Sequence, residues 1–205
     1  GLGYEQIIKA NPKVNRWVPG AGTRVFLPTL YVLPQTPFEG IVMNLPELRL
    51  YYYPPAKKGA RRTVATYPVS IGRMDWRTPM GKTRVIKKEK DPPWRPTPSV
   101  RREHAAEGDI LPMVIPGGSP ENPLGHYALR LGIPQYLIHG TDEKKSFGIG
   151  MRVTHGCVRM YPEDILQLYN QTSVGTKVLI IDQPVKVGRL GNDLLLEVNL
   201  PFEEE

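Results

Sequence analysis

A chain of 205 residues is long enough for one well-cored domain and at most a small second one. Its 40% hydrophobic and 23% charged residues exclude a disordered chain, and no stretch approaches the roughly 18 apolar residues that a transmembrane helix needs. The formal charge of +7 suits an anionic partner, but the basic residues fall in short runs (Lys87-Lys88, Arg101-Arg102, Lys144-Lys145) with acids interleaved, and the aromatic-plus-basic signatures of nucleic-acid modules are missing.

The chain opens at Gly1-Leu2-Gly3-Tyr4 with neither a starting Met nor a signal peptide, as expected of a mature form, a trimmed form or a fragment. Its 22 prolines and 20 glycines exclude long helices over most of the sequence and predict a mainly β fold. Residues 1–34 differ from the rest: Tyr4–Ala10 predicts a short helix that Asn11-Pro12 ends, and Gly22–Pro28 predicts a strand. From Gly40 onward, short β-rich runs alternate with turns at Glu47–Tyr53, Arg61–Gly72, Lys82–Lys88, Gly125–Leu131, Tyr136–His139, Lys177–Asp182 and Leu194–Val198. That spacing predicts a β-sandwich or flattened barrel. Pro162 to about Asn170 predicts a helix, because Pro stands at the first turn, Glu163 and Asp164 lie near the N-terminus, and Ile165, Leu166, Leu168 and Tyr169 share one side. The Pro-rich stretches Asp91–Pro96 and Ile115–Pro120 are too irregular for core strands and predict lid or binding loops.

A single cysteine allows neither an internal disulfide nor a multi-cysteine metal cage, and a lone Cys is most often a small buried hydrophobe. The surroundings of Cys157 argue for more. Ile138-His139-Gly140-Thr141 is followed by Thr154-His155-Gly156-Cys157-Val158-Arg159-Met160, so two of the four His residues lie in the same window as the Cys. A free thiol with a pKa of about 8.5 is only slightly ionised at neutral pH, and nucleophilic work needs an imidazole within reach. A His ending a strand and a Cys on a Gly-bracketed turn supply that geometry, and Gly156 lets backbone N–H groups turn toward a developing oxyanion. His104 and His126 lie outside the pattern and read as structural or exposed, Met151 and Met160 as core. A competing reading has His139, His155 and Cys157 ligating zinc with a water at an open position. The His-x-Cys spacing on a tight turn is not a usual zinc arrangement, and no HExxH or CxxC accompanies it.

In order and spacing, His139 and the run Thr154-His155-Gly156-Cys157-Val158-Arg159 resemble the L,D-transpeptidases with the YkuD-type catalytic domain. Leu48–Pro54, Thr78-Pro79, Trp94–Thr97, Asn122–Gly125, Phe147–Gly150 and Gly175-Thr176 are similar to its periplasmic Gram-negative branch. The resemblance covers residues 36–185. Ahead of it, Ile7-Ile8, Ala10-Asn11-Pro12 and Pro19-Gly20 in residues 1–34 resemble the second half of a LysM module, and residues 186–205 form a C-terminal strand or extension. The fold so implied is a β-sandwich or flattened barrel, with one short helix after Cys157 and a small α/β LysM-like piece in front.

The resemblance implies that Cys157 attacks the diaminopimelate–D-alanine bond of a peptidoglycan tetrapeptide stem, releases D-alanine, and passes the acyl group to an amine. The leading acceptor is the C-terminal lysine of an outer-membrane lipoprotein, ahead of a second stem (3-3 cross-linking) or water. It further implies that His139 is the base and that the Gly140 carbonyl orients it, while His155 and Gly156 shape the turn and its oxyanion site. Arg159 holds the loop or a substrate carboxylate, Thr154 contacts substrate or caps the turn, and Trp94 is part of a lid or a hydrophobic plug. No cofactor or metal is expected. The implied compartment is the periplasm, where a thiol reductase is a further expected partner, and carbapenems are expected to acylate Cys157. A non-catalytic wall-binding module is the remaining alternative.

Overall fold

A computed structural model describes residues 1–56, 59–73 and 75–200; residues 201–205 of the expected C-terminal extension lie outside the described residues. Helix α1 (Tyr4–Ala10) is followed by strands β1 (Gly40–Asn44), β2 (Arg49–Tyr53), β3 (Ala65–Pro68), β4 (Ile71–Gly72) and β5 (Gly81–Lys90). Then come α2 (Pro98–Ala106), β6 (Tyr127–Leu131), β7 (Leu137–His139), a 3-10 turn (Glu143–Gly148), β8 (Arg152–Thr154) and β9 (Val158–Arg159). The order closes with α3 (Pro162–Gln171), β10 (Lys177–Ile181), β11 (Val185–Leu190) and β12 (Asp193–Val198). The fold is mainly β, as expected. Among the described residues, eight strands form one curled mixed sheet in the order β3-β2-β1-β10-β5-β6-β7-β9, and two small ladders, β11-β12 and β4-β8, stand outside it. The β1·β10 and β7·β9 pairs are parallel.

One face of this sheet carries the main core. Ile41, Met43, Leu50, Val85, Leu129, Ile138, Val158, Val178 and Ile180 pack there against Ile165 and Leu168 of α3. Those two positions, three apart, fall on one helix face, and each fully buried aliphatic side chain contributes about 1.5–3 kcal/mol. The core thus fixes α3 behind β6, the neighbour of β7.

Three expectations need correction. Gly22–Pro28 forms no strand. Gly20 and Gly22 adopt φ of +83° and +78°, and the Asn11 side chain supplies the pairing a neighbouring strand would give: its Nδ2 donates to Phe26 O at 2.8 Å and its Oδ1 accepts from Phe26 N at 2.7 Å. The front piece is therefore a helix plus irregular chain rather than an α/β unit, and α1 docks on the sheet domain, with Tyr4 N donating to Ile149 O at 2.9 Å. Secondly, α3 is not the only helix of the domain. In α2, Pro98 follows a Thr97 cap whose Oγ1 accepts from Val100 N at 3.3 Å, a start signal hidden at the end of a Pro-rich run. Thirdly, Arg61–Gly72 is not one strand but two, since β3 pairs with β2 whereas β4 pairs with β8.

The β11-β12 hairpin is pinned by a buried ion pair. Lys186, with a fully buried side chain, donates to Glu47 Oε2 and Val32 O, both at 2.6 Å, and reaches Glu197 Oε1 at 2.9 Å. Tyr51 Oη and Asn44 Nδ2 complete the Glu47 carboxylate at 2.8 Å each. Burial pushes the Glu47 carboxyl up, and the Lys186 charge opposes it. Removing one partner strands the other charge in a low-dielectric interior. Lys186→Met is therefore expected to lower the unfolding free energy by about 3–5 kcal/mol, read as a lower urea midpoint, and Lys186→Met/Glu47→Leu to recover much of it; an unchanged midpoint in the single variant would contradict the assignment.

Candidate active site

Strand register builds the site. Across β6·β7, Ala128 faces His139 and Arg130 faces Leu137; across the parallel β7·β9 pair, Ile138 faces Val158 and His139 faces Arg159. Side chains alternate along a strand. Leu129, Ile138 and Val158, at 0%, 0% and 1% exposure, therefore enter the core. The opposite face presents Ala128, Arg130, Leu137, His139, Arg159 and, one residue ahead of β9, Cys157. There Cys157 packs with Leu124, Ala128, Leu137 and Trp94.

His139 is buried, and its Nδ1 lies 2.6 Å from the Gly140 carbonyl. A carbonyl can only accept, so Nδ1 carries the proton and Nε2 keeps its lone pair. Burial holds the imidazole down to about 4; the Arg159 charge acts in the same direction, and the Gly140 and Leu124 carbonyls oppose it. Gly140 carries no orienting hydroxyl, and a Cβ there would crowd Ile165 Cγ2 of α3 at 3.0 Å.

The Cys157 turn is held from two sides. Thr154 Oγ1 donates to the Cys157 carbonyl at 2.6 Å and accepts from Gly156 N at 3.2 Å. Thr78 Oγ1 donates to the Gly156 carbonyl at 2.8 Å and accepts from Gly72 N at 3.0 Å. Gly156 has φ +102°, and a Cβ on it would lie 2.8 Å from Tyr136 Cε1, so the position demands glycine on both counts. The thiol itself donates to Gln135 O at 3.6 Å rather than to the imidazole. Burial pushes it up, opposed by the Leu137 backbone N–H and the Arg130 charge. Both groups therefore rest uncharged near neutral pH.

The other sequence-derived candidates separate. His155 Nε2 pairs with Glu103 Oε2 of α2 at 2.8 Å, and its ring stands edge-on to Trp76 at 5.1 Å; Glu103 also holds Arg73. Among the described residues no three His, Cys, Asp or Glu side chains lie together as a metal site needs, so His155 is not grouped with His139 and Cys157. Arg159 is partly buried against the 3-10 turn, where a Cβ on Gly148 would meet its Nη2 at 2.7 Å; burial lowers its pKa, and Asp142 opposes that. Trp94 exchanges two backbone hydrogen bonds of 2.9 Å with Ile115. Asn122 ties the two Pro-rich loops together by donating to Pro92 O at 2.8 Å and Pro116 O at 3.0 Å. His104 and His126 form surface pairs with Asp109 and Asp91, and Met160 is core. Thr78, Gln135, Glu103 and Arg130 were given no role from the sequence, because only the pairing of distant strands brings them here. A cavity of about 610 Å³, lined by Tyr52, Pro54, Val64 and Gln171 among others, shares none of these residues.

A family model described as the L,D-transpeptidase catalytic domain, YkuD, matches residues 39–180. Across its whole length the chain is 44% identical to the probable L,D-transpeptidase YcfS of Escherichia coli, covering 63% of that protein. Over 90% of its length it is 46% identical to the probable L,D-transpeptidase YbiS of the same organism, covering 58% of it. The chain thus spans about three fifths of these relatives. Among solved structures, the Ldtfm–avibactam carbamoyl enzyme is similar in fold, with a TM-score of 0.52 and 22% identity over 72% of this chain and 50% of that one.

Because His139 titrates at about 4 when folded against about 6.5 in an unfolded chain, the unfolded state binds more protons between those values. Stability is therefore complete above pH 6.5 and is lost as pH falls toward 4, by about 3 kcal/mol. His139→Gln is expected to flatten that part of the curve in denaturation midpoints measured at stepped pH; an unaltered slope would contradict the burial argument.

Proposed function

The chain belongs to the YkuD L,D-transpeptidase family, and from that membership we propose that it is a cysteine acyltransferase acting on peptidoglycan, with Cys157 as nucleophile and His139 as base. The observation that carries the reading is the shared sheet face of the two residues, together with an imidazole whose Nδ1–H is taken up by Gly140.

The thiol leaves Gln135 O and gives its proton to His139 Nε2 as sulfur attacks the third-residue carbonyl of a tetrapeptide stem. Gly156 N–H is already engaged by Thr154, which leaves the N–H of Cys157 to donate to the oxyanion. The imidazolium then protonates the departing D-alanine amine, the carbon–nitrogen bond breaks, and a thioester remains on Cys157. An incoming primary amine loses its proton to His139, attacks the thioester and restores the thiol. Trp94 covers the donor side and Thr154 keeps the turn in place, while Arg159 braces the loop or meets a substrate carboxylate. His155 supports the turn from α2. Residues 36–185 form the catalytic unit in this reading.

Among the described residues no helix is long and apolar enough to cross a membrane; the proposed substrate places the domain in the periplasm. An unpaired thiol there is exposed to sulfenic-acid formation and calls for a reducing partner. The proposed acceptor is the C-terminal lysine of an outer-membrane lipoprotein, on the likeness of the Trp94 and Asn122 loops to enzymes of that kind; a second stem or water stands behind it.

Incubation with a tetrapeptide muropeptide plus either a lysine-ended peptide or a second stem is expected to release D-alanine and favour the lysine adduct. Cys157→Ala should abolish release, and His139→Gln should slow it by about 10²–10⁴. Imipenem should leave a stable adduct on the intact protein. D-alanine release by Cys157→Ala, or an unmodified mass after long incubation, would sink the reading.

A further inference from the structure

The face of the sheet that carries Cys157 holds two rows of side chains running across the strands. Register places Lys87, Arg130 and Leu137 in one row, which Cys157 extends, and Glu89, Ala128, His139 and Arg159 in the other. Strands lie about 4.8 Å apart, so two strand spacings, about 10 Å, separate the backbones of Arg130 and Cys157. In that row only the apolar Leu137, at 5% exposure, stands between them, and Ala128, at 0%, flanks it in the next row.

Arg130 is held for a purpose that the protein's own contacts do not use up. Its Nε donates to Glu89 Oε2, while Glu89 Oε1 accepts from Lys87 Nζ at 2.8 Å. One carboxylate between two cations leaves a unit of positive charge in the row. Burial disfavours the ionised Glu89, but the hydrogen bonds from Lys87 and Arg130 outweigh it and keep its carboxyl below the usual range. The Nε bond fixes the plane of the guanidinium, and among the described residues its Nη groups have no protein partner. The Arg130 side chain is 35% exposed and that of Glu89 only 12%. A planar fork anchored at Nε and open at Nη, whose charge is felt at the Cys157 thiol, matches a carboxylate better than any neutral group.

We propose that Arg130 is a substrate-binding residue that receives a carboxylate of the acyl donor beside Cys157. Arg159 differs, since it packs against the 3-10 turn and Asp142. The inference rests on the donor approaching Cys157, and it names what the donor must carry: a free carboxylate near the attacked carbonyl, on the side chain of the residue attacked or at the peptide's end. Diaminopimelate-containing tetrapeptides meet that requirement.

The test separates binding from chemistry. Calorimetric affinities for Cys157→Ala protein are measured with three tetrapeptides: the free acid, the diaminopimelate side-chain amide and the C-terminal amide. Imipenem acylation of the native protein is followed in parallel, so that failure of the nucleophile assignment shows there and not in the affinities. One amidation is expected to weaken binding about tenfold, the scale of one charge-assisted contact. Adding Arg130→Met should remove that difference and Arg130→Lys should retain part of it, since an ammonium keeps the charge without the fork. Equal affinities for all three peptides, or a preference that survives Arg130→Met, would overturn the proposal.

Discussion

The site depends on the parallel pairing of β7 with β9. That pair is short, with Ile138 opposite Val158 and His139 opposite Arg159, yet it decides which face the side chains of His139 and Cys157 share. A slip of one residue would exchange Cys157 for Val158 on the outer face and bury the thiol in the core. Several contacts keep the register. Met160 N donates to His139 O at 2.9 Å, Ser70 and Arg159 exchange backbone bonds of 2.8 and 2.9 Å, and Val158 and Ile138 are locked in the main cluster beneath α3. The Thr154 and Thr78 hydroxyls then set the turn that delivers Cys157 to the end of the strand.

Burial on this face gives a second constraint. The same loss of solvent pulls the imidazole down and pushes the thiol up, so the resting enzyme holds no thiolate–imidazolium pair. The apolar Leu124, Ala128, Leu137 and Trp94 surroundings favour the neutral pair. In the proposed reaction, proton transfer is therefore coupled to attack. The bond from thiol to Gln135 O holds the proposed nucleophile in its neutral form. Arg130 and Arg159 place positive charge on either side of the pair, in the Cys157 row and beside His139.

Much of the proposed catalytic pair was legible in the sequence, for a physical reason. His139 ends one strand and Cys157 precedes another, and the glycines and threonine between and around them are local in the chain. Gly140 could even be read as leaving only a carbonyl to orient the base, and the Nδ1 contact has that form. What depends on distant pairing was not legible. Thr78, 78 residues before Gly156, Glu103 on an unanticipated helix, and Arg130 beside Glu89 acquire roles only once β5, β6 and α2 are in place. Lys186 illustrates the same limit, because nothing in Val185–Leu190 distinguishes a buried lysine from a solvated one until Glu47 is folded against it. Gly22–Pro28 failed in the opposite sense: its residues favour a strand, but its partner is a side-chain amide, that of Asn11.

The central claim is that Gly140 fixes His139 as a neutral base with Nε2 free. Nitrogen-15 NMR of imidazole-labelled protein near pH 7 tests it directly. The account predicts a neutral ring protonated at Nδ1, with the unprotonated shift on Nε2. A ring protonated on Nε2, or on both nitrogens, would contradict it.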